Sequence, residues 1–389
     1  MSGRRSVRTT LAGVLGAQLL TALADNALLI VAIALLEAGA APGWATPTLR
    51  VCFYAAYVLL APLAGPLADR WPKGRLMLLV NLLKLLGAGA LACGADPLLV
   101  FGAIGLGAAA YAPARYGILP ELASGRALVR ANAAMEIVTI VSILAGVALG
   151  SLMVASGAIK VACGVLAGLY ALAAASTLLV GATTAPHHSA PAPGFYGAIR
   201  ILLDDRAARF SLGITSVFWA CAAVLQFLMI DWARKSLGLP LAGAALLPAL
   251  LALGMVGGAL AAGNAHAAAT RSAVVLRGCA LGAGILAMTQ VHAIWPAALL
   301  LLASGVLAGA LLVPMNAVLQ QRGAALMRPG VSVAVQNFLE NGLSLGFLAL
   351  YGVGIALGAS LDAAIYVLGA ATIALVGLLA LGRRDAAVS

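Results

Sequence analysis

The sequence predicts an all-α membrane protein of twelve transmembrane helices, arranged as two pseudo-symmetric six-helix bundles. Three observations predict it: an extreme apolar composition, a succession of long apolar runs with short polar breaks, and a polar pattern that occurs twice at one offset. Of 389 residues, 63% are hydrophobic and only 9% charged. A soluble fold could not hide that much apolar surface.

A spanning helix needs about 20 apolar residues. Such runs lie at roughly 10–36, 47–69, 75–93, 97–122, 128–154, 158–182, 209–235, 242–265, 272–290, 294–320, 330–355 and 358–382, judged by apolar length. Backbone groups in lipid must pair within a helix or a closed barrel, and no alternating strand pattern occurs, so the spans are helices. The 45 glycines suit helices that approach closely. The one long polar interval, 183–208, contains His187, His188 and Arg200 and divides the spans six and six. It predicts an N-terminal bundle over 1–182, a cytoplasmic linker over 183–208 and a C-terminal bundle over 209–389.

The net charge of +11 raises the question of a nucleic-acid partner, and the placement of the charges answers it. With the N-terminus inside, the cytoplasmic side receives Arg4, Arg5, Arg8, Arg70, Lys73, Arg75, Arg126, Arg130, Arg200, Arg206, Arg209, Arg271, Arg277, Arg322, Arg328, Arg383 and Arg384. Arg50, Lys160, Arg234 and Lys235 fall outside, and Lys84 and Arg115 within spans. The positive-inside rule thus puts both termini in the cytoplasm and accounts for the basic balance without nucleic acid. Ala22-Leu23-Ala24 resembles a signal-peptidase site, but the apolar run continues to Leu36, which predicts an uncleaved first span. The five cysteines, Cys52, Cys93, Cys163, Cys221 and Cys279, are scattered over different spans without a CxxC pair, so neither disulfide nor metal is expected.

The second half repeats the first. Pro113-Ala114-Arg115-Tyr116-Gly117 closes one span, and the next carries Asn132 and Glu136; Pro314-Met315-Asn316 lies in the tenth span, and the eleventh carries Gln336 and Glu340. Gln336 and Glu340 lie 204 residues beyond Asn132 and Glu136. Each pair is an amide and a carboxylate at i,i+4 on one helix face. A shared offset at corresponding spans implies a duplicated six-helix unit, the arrangement of transporters whose site lies between repeats.

A charge in the bilayer core costs roughly 2.5–3.5 kcal/mol on insertion scales, so each needs a reason. Asp25 is expected near mid-span, with Lys84, Arg115, Glu136 and Glu340 at a shared depth nearer the cytoplasmic end. One reading is a polar chamber for a substrate bearing both signs. The other is that Lys84 or Arg115 neutralises Glu136 and Glu340 and holds the bundle together. Asn26 beside Asp25 adds a donor, or faces a neighbouring helix. No acyltransferase H-x-x-x-x-D and no phosphate-binding G-x-x-x-x-G-K-[ST] occurs, so neither an enzyme nor an ATP-driven pump is expected, and no cofactor.

Between the second and third spans, Gly65, Asp69, Arg70, Gly74 and Arg75, with Lys73, match the G-x-x-x-D-R…G-R pattern of the major facilitator superfamily. That match implies a charge cluster for gating rather than for substrate contact, and the corresponding loop, Gly263 to Arg277, has lost the pattern. Longer runs resemble the bacterial lysophospholipid transporter family of that superfamily. They are Ala24–Leu29, Asn81–Gly87, Ala109–Leu119, Val313–Gln320 and Ala334–Asn341, collinear over nearly the whole chain.

The resemblance implies facilitated movement of 2-acyl-glycerophosphoethanolamine and related lysophospholipids from the outer to the inner leaflet of the bacterial inner membrane. A separate acyltransferase and acyl-carrier-protein synthetase would then restore the second chain, and the carrier itself would be a monomer. Arg115 would meet the phosphate, Asp25, Glu136 or Glu340 the ammonium, and Asn26, Lys84, Tyr116, Gln226 and Gln336 complete the expected substrate site. The family pattern has an arginine in the seventh span where this chain has Gln226, so Arg115 and Lys84 would carry more of the phosphate binding. Two other classes remain open. A proton-linked exporter of amphipathic drugs or small solutes would titrate Asp25 or Glu136, whereas a non-transporting scaffold would leave the buried charges without purpose.

Overall fold

The computed structural model describes residues 6–39, 41–42, 45–180, 194–244, 246–265 and 270–381. The expectations resting on Arg4, Arg5, His187, His188, Arg383, Arg384 and the linker up to residue 193 lie outside them. In chain order the helices are α1 (Val7–Ala38), α2 (Ala45–Arg70), α3 (Lys73–Ala92), α4 (Pro97–Gly117), α5 (Leu119–Leu122), α6 (Gly125–Ala155), α7 (Ile159–Thr177), α8 (Phe195–Asp204), α9 (Arg206–Lys235), α10 (Leu241–Ala244), α11 (Leu247–Asn264), α12 (Arg271–Ala287), α13 (Ile294–Leu326), α14 (Pro329–Ala356) and α15 (Leu361–Leu381). Twelve helices are long and apolar enough to span a membrane, and no strand occurs among the described residues.

Local chemistry sets the ends. Asp96 accepts from the Leu98 and Leu99 amides and Pro97 opens α4, a position where its missing N–H is no loss. The fourth span, expected unbroken over 97–122, breaks at Ile118 into α4 and α5. Pro120 has no N–H for the Tyr116 carbonyl, which weakens the helix at this point. Asp205 caps α9 by accepting from the Ala208 amide at 2.8 Å, and the Arg322 guanidinium beside it holds its carboxyl below the usual carboxylate range. The connections after α3 and α6 turn through Gly94 (φ 87°) and Gly157 (φ 69°), a left-handed conformation that favours glycine. Part of the expected linker is helical, as α8.

The chain divides into two compact units. The first comprises Met1–Ser124, Val138–Leu202 and Gly323–Phe338; the second comprises Gly125–Ile137, Leu203–Arg322 and Leu339–Ser389. They follow the two sequence halves except in Gly125–Ile137, the start of α6, and in Gly323–Phe338, which takes in the end of α13 and the start of α14. By the 204-residue offset, Gly125–Ile137 corresponds to 329–341, so the two exceptions overlap as repeat counterparts.

Small residues bring helices to backbone contact inside each unit. In the first, a Cβ at Gly146 or Gly150 of α6 would lie 2.4 Å from the Leu23 carbonyl oxygen or 2.8 Å from that of Ala27, on α1. In the second, Gly254 and Gly258 of α11 face Gly305 and Gly309 of α13. A Cβ at Gly305 would lie 2.1 Å from the Leu251 carbonyl oxygen, and one at Gly309 2.2 Å from that of Met255. Lipid supplies no hydrophobic drive between helices, so such close van der Waals packing holds them.

Candidate functional site

In the first unit the sequence places an acid on α1, a base on α3 and aromatic residues on α4 and α7, and the fold assembles them. Lys84 Nζ donates to Asp25 Oδ2 at 2.6 Å, and the Tyr170 hydroxyl donates to Asp25 Oδ1 at 2.8 Å. The Lys84 ammonium also lies 5.7 Å from the Tyr111 ring centroid and 6.0 Å from that of Tyr170. An ammonium group is therefore held by one carboxylate and two aromatic faces, a combination that compensates its lost hydration. Lys84 is fully buried, whereas the Asp25 side chain is 19% exposed, so the acid is the member that a solute could reach. Next to the pair, Thr21 donates to Asn81 Oδ1 at 2.6 Å, and Asn81 donates to the Met77 carbonyl.

Arg115 also lies near Tyr111. Its guanidinium carbon lies 5.9 Å from the Tyr111 centroid and 4.3 Å from that of Tyr116, which it overlies. Fork-shaped guanidinium groups match phosphate oxygens in pairs.

The geometry corrects several expectations. The carboxylate beside Lys84 is Asp25, not Glu136 or Glu340, and Asp25 accordingly shares Lys84's level instead of standing apart. Asn26 directs one N–H of its amide to the Ala22 carbonyl of its own helix at 2.7 Å. Gln336 is a buried residue of the first unit. Glu136 and Glu340 are buried, and Gln226 half-buried, in the second unit. Asn132 pairs with Gln320 through two amide hydrogen bonds of 2.9 Å, linking α6 to α13.

The motif residues separate by helix face. Asp69 accepts from the amides of Gly330 at 2.8 Å and Val331 at 2.9 Å, two orphan donors in the first turn of α14. A Cβ on Gly65 would lie 2.8 Å from the Val331 Cα, and one on Gly74 2.9 Å from the Val180 carbonyl oxygen. Buried Lys73 pairs with Glu121. Arg70 and Arg75 instead are exposed and line an open groove with Trp71, so their charges do not join Asp69 in its contact with α14. Adjacent helix positions point about 100° apart, and this carries Arg70 off the Asp69 face.

Sequence reasoning missed Tyr111, Tyr170, Glu121, Gln320 and Gly330. Only Glu121 offered a signal, as an acid at the end of a predicted span; tyrosines in an apolar run do not announce a partner.

No group of three or more metal-ligating side chains occurs among the described residues, and the polar groups instead converge on one paired carboxylate and a nearby guanidinium inside spanning helices. Fold and cluster together define a polytopic membrane carrier. Residues 14–341 match the model of the Major Facilitator Superfamily. "Lysophospholipid transporter LplT" of Enterobacter sp. (strain 638) is 40% identical over 357 residues, covering 89% of this chain and 88% of that protein. The protein of the same name from Yersinia pestis (strain Pestoides F) is 39% identical over 359 residues, covering 90% and 88%. Among solved structures, the human organic anion transporter MFSD10 superposes with a TM-score of 0.80 at 17% identity, covering 97% of this chain and all of that one. The Escherichia coli fucose:proton symporter FucP (N162A) gives 0.76 at 14%, covering 98% and 100%. These two likenesses show the fold alone. The chain belongs to the lysophospholipid transporter family of the Major Facilitator Superfamily, a family of transporters and not of enzymes.

Proposed function

We propose that this chain moves lysophospholipids, 2-acyl-glycerophosphoethanolamine first, from the outer to the inner leaflet of a bacterial inner membrane, for reacylation by a separate acyltransferase and acyl-carrier-protein synthetase. The observation that carries the reading is the Lys84 ammonium itself, seated on Asp25 by Tyr111 and Tyr170, with Arg115 near Tyr111 as well. A carboxylate that already holds an ammonium, with a guanidinium near the same tyrosine, presents the charges of a phosphoethanolamine headgroup in reverse. The substrate ammonium competes with Lys84 for Asp25, the phosphate draws on Arg115 and the released Lys84, and one balanced set of pairs exchanges for another. Such an exchange avoids a bare charge in lipid at any stage.

Transport in this proposal alternates between the sequence halves 1–182 and 209–389, joined by the linker 183–208, with both termini cytoplasmic and the carrier a monomer. Glu136, Gln226, Gln336 and Glu340 complete the headgroup path. Gly65, Asp69, Lys73 and Gly74 form the gate, held by the Asp69 hydrogen bonds, while Arg70 and Arg75 keep to its rim.

The test is uptake of labelled lysophosphatidylethanolamine by spheroplasts of a host without its own carrier, comparing the parent with Arg115→Ala and Asp25→Ala. Asp25→Ala leaves Lys84 uncompensated, at about 3–5 kcal/mol, and Arg115→Ala removes the group that meets the phosphate, so both variants are expected to lose nearly all uptake while remaining in the membrane. Full uptake in both would sink the proposal. Efflux of an amphipathic drug or small solute that acidifies the cytoplasm and stops in Asp25→Asn would favour a proton-linked exporter instead.

A further inference from the structure

Helix α13 contains Pro314 well inside its length. Proline lacks an N–H, so the carbonyl four residues earlier, that of Ala310, loses its helical donor. In hydrocarbon such a carbonyl cannot turn to water, and neighbouring side chains must satisfy it. Here Arg277 of α12 does so: its Nη1 donates to the Ala310 oxygen at 2.9 Å. Arg277 was expected among the cytoplasmic charges, yet it stands six residues into α12, about 9 Å along the axis at 1.5 Å per residue. A charge present only to orient the chain would reach for the interface and not spend a donor on the one carbonyl that Pro314 orphans.

The helix is held differently on the two sides of this joint. Before it, Gly305 and Gly309 are locked backbone to backbone against Gly254 and Gly258, where a Cβ on Gly258 would lie 2.1 Å from the Val306 carbonyl oxygen. That half cannot slide or rotate alone. After it, polar attachments join the packing: the Ser211 hydroxyl donates to the Met315 carbonyl, Gln320 exchanges two hydrogen bonds with Asn132, and a Cβ on Gly323 would lie 1.9 Å from the Ser332 Oγ. Hydrogen bonds such as those of Met315 and Gln320 can be traded for others during a cycle, whereas the backbone contacts of Gly305 and Gly309 cannot.

We propose that Arg277 is a positioning residue that splints the Pro314 joint of α13, fixing the angle at which the mobile half presents Asn316 and Gln320 during transport. The role rests on the transport reading above, but its physical core, a guanidinium replacing a helical donor, does not depend on the substrate. It follows that Arg277 matters only because position 314 is proline.

The experiment uses the full chain in lipid nanodiscs and in spheroplasts, as parent, Arg277→Ala, Pro314→Ala, the double variant Arg277→Ala/Pro314→Ala, and Arg277→Gln. Amide hydrogen exchange over residues 311–320 is expected to quicken about tenfold in Arg277→Ala, the scale of one charge-assisted hydrogen bond. It should return to the Pro314→Ala level in the double variant, where the new N–H at position 314 reclaims the Ala310 carbonyl. Lysophosphatidylethanolamine uptake should fall about tenfold and recover in the same pattern. Arg277→Gln, uncharged but still a donor, should recover part of both. Equal impairment of Arg277→Ala and the double variant, or unchanged exchange in Arg277→Ala, overturns the proposal. If Arg277→Ala does not fold, folding of the double variant supports the splint, and its failure overturns it. A normal exchange pattern with no lysophosphatidylethanolamine uptake by the parent would count against the substrate reading alone.

Discussion

Two corresponding junctions of the repeat solve the same packing problem with different chemistry. In the first unit α2 meets the start of α14, with Gly65 against Val331 and Ala334 and the Asp69 carboxylate on the amides of Gly330 and Val331. In the second, α11 meets the corresponding part of α6, with Gly263 against Ala133, while beside it Asn132 of α6 forms a neutral amide pair with Gln320 of α13 and the Ser124 side chain makes no capping hydrogen bond. The glycine seat is common to both; the carboxylate on helix-opening amides belongs to the first. Charge-assisted hydrogen bonds contribute about 1.5–3 kcal/mol and neutral ones about 0.5–1.5 kcal/mol, so the Asp69 junction should be the stronger clasp. Duplication preserved the shape of the contact and let its strength diverge.

The largest test of this comparison is Asp69→Asn. It keeps an acceptor oxygen of nearly the same shape but removes the charge that faces the positive end of α14. We expect the initial rate of lysophosphatidylethanolamine uptake to change about tenfold or more, in line with a loss of roughly 1.5–3 kcal/mol. An unaltered rate would show that the junction does not depend on the carboxylate.

A smaller effect should separate the two glycines. A methyl at Gly65 meets the Val331 backbone at 2.8 Å and the Ala334 Cβ at 2.9 Å, so α14 itself must move. At Gly263 the nearest atoms are the Ala133 Cβ at 2.9 Å and then the Arg130 Cα at 3.9 Å. Gly65→Ala should therefore lower the thermal transition of the detergent-purified protein more than Gly263→Ala, within the roughly 1–3 kcal/mol range of overpacked sites. The reverse order would mean that the second junction is the tighter one.

The smallest net change belongs to the amide pair. Asn132→Leu or Gln320→Leu alone strands a buried amide, at about 1–3 kcal/mol. The double substitution removes both partners and should recover much of that loss in the same thermal measurement. Strictly additive losses would show that the two amides act independently.

Much of the architecture could be read from the residues alone, and the site much less so. Apolar run length locates spans because the bilayer sets their length, and the 204-residue offset exposes the repeat because Asn132, Glu136, Gln336 and Glu340 are conspicuous in an apolar background. The same background conceals helix rotation. Lipid is as apolar as the bundle interior, so apolar residues do not mark the inner face of a helix, and on α1 only the short row Gln18, Thr21 and Asp25 does.

What the sequence by itself determined is the set of helices, their duplication, and the short list of polar groups that a membrane helix must account for. Only the tertiary structure decided how those groups pair: Asp25 with Lys84 and Tyr170, Asn132 with Gln320, Asp69 with the amides of Gly330 and Val331, and Arg277 with the Ala310 carbonyl. The physical reason is that chain spacing fixes direction within one helix, whereas pairing depends on which helices are neighbours and how each is turned about its axis. Close packing at glycines such as Gly254 and Gly305 sets those two quantities, through contacts between residues far apart in the chain.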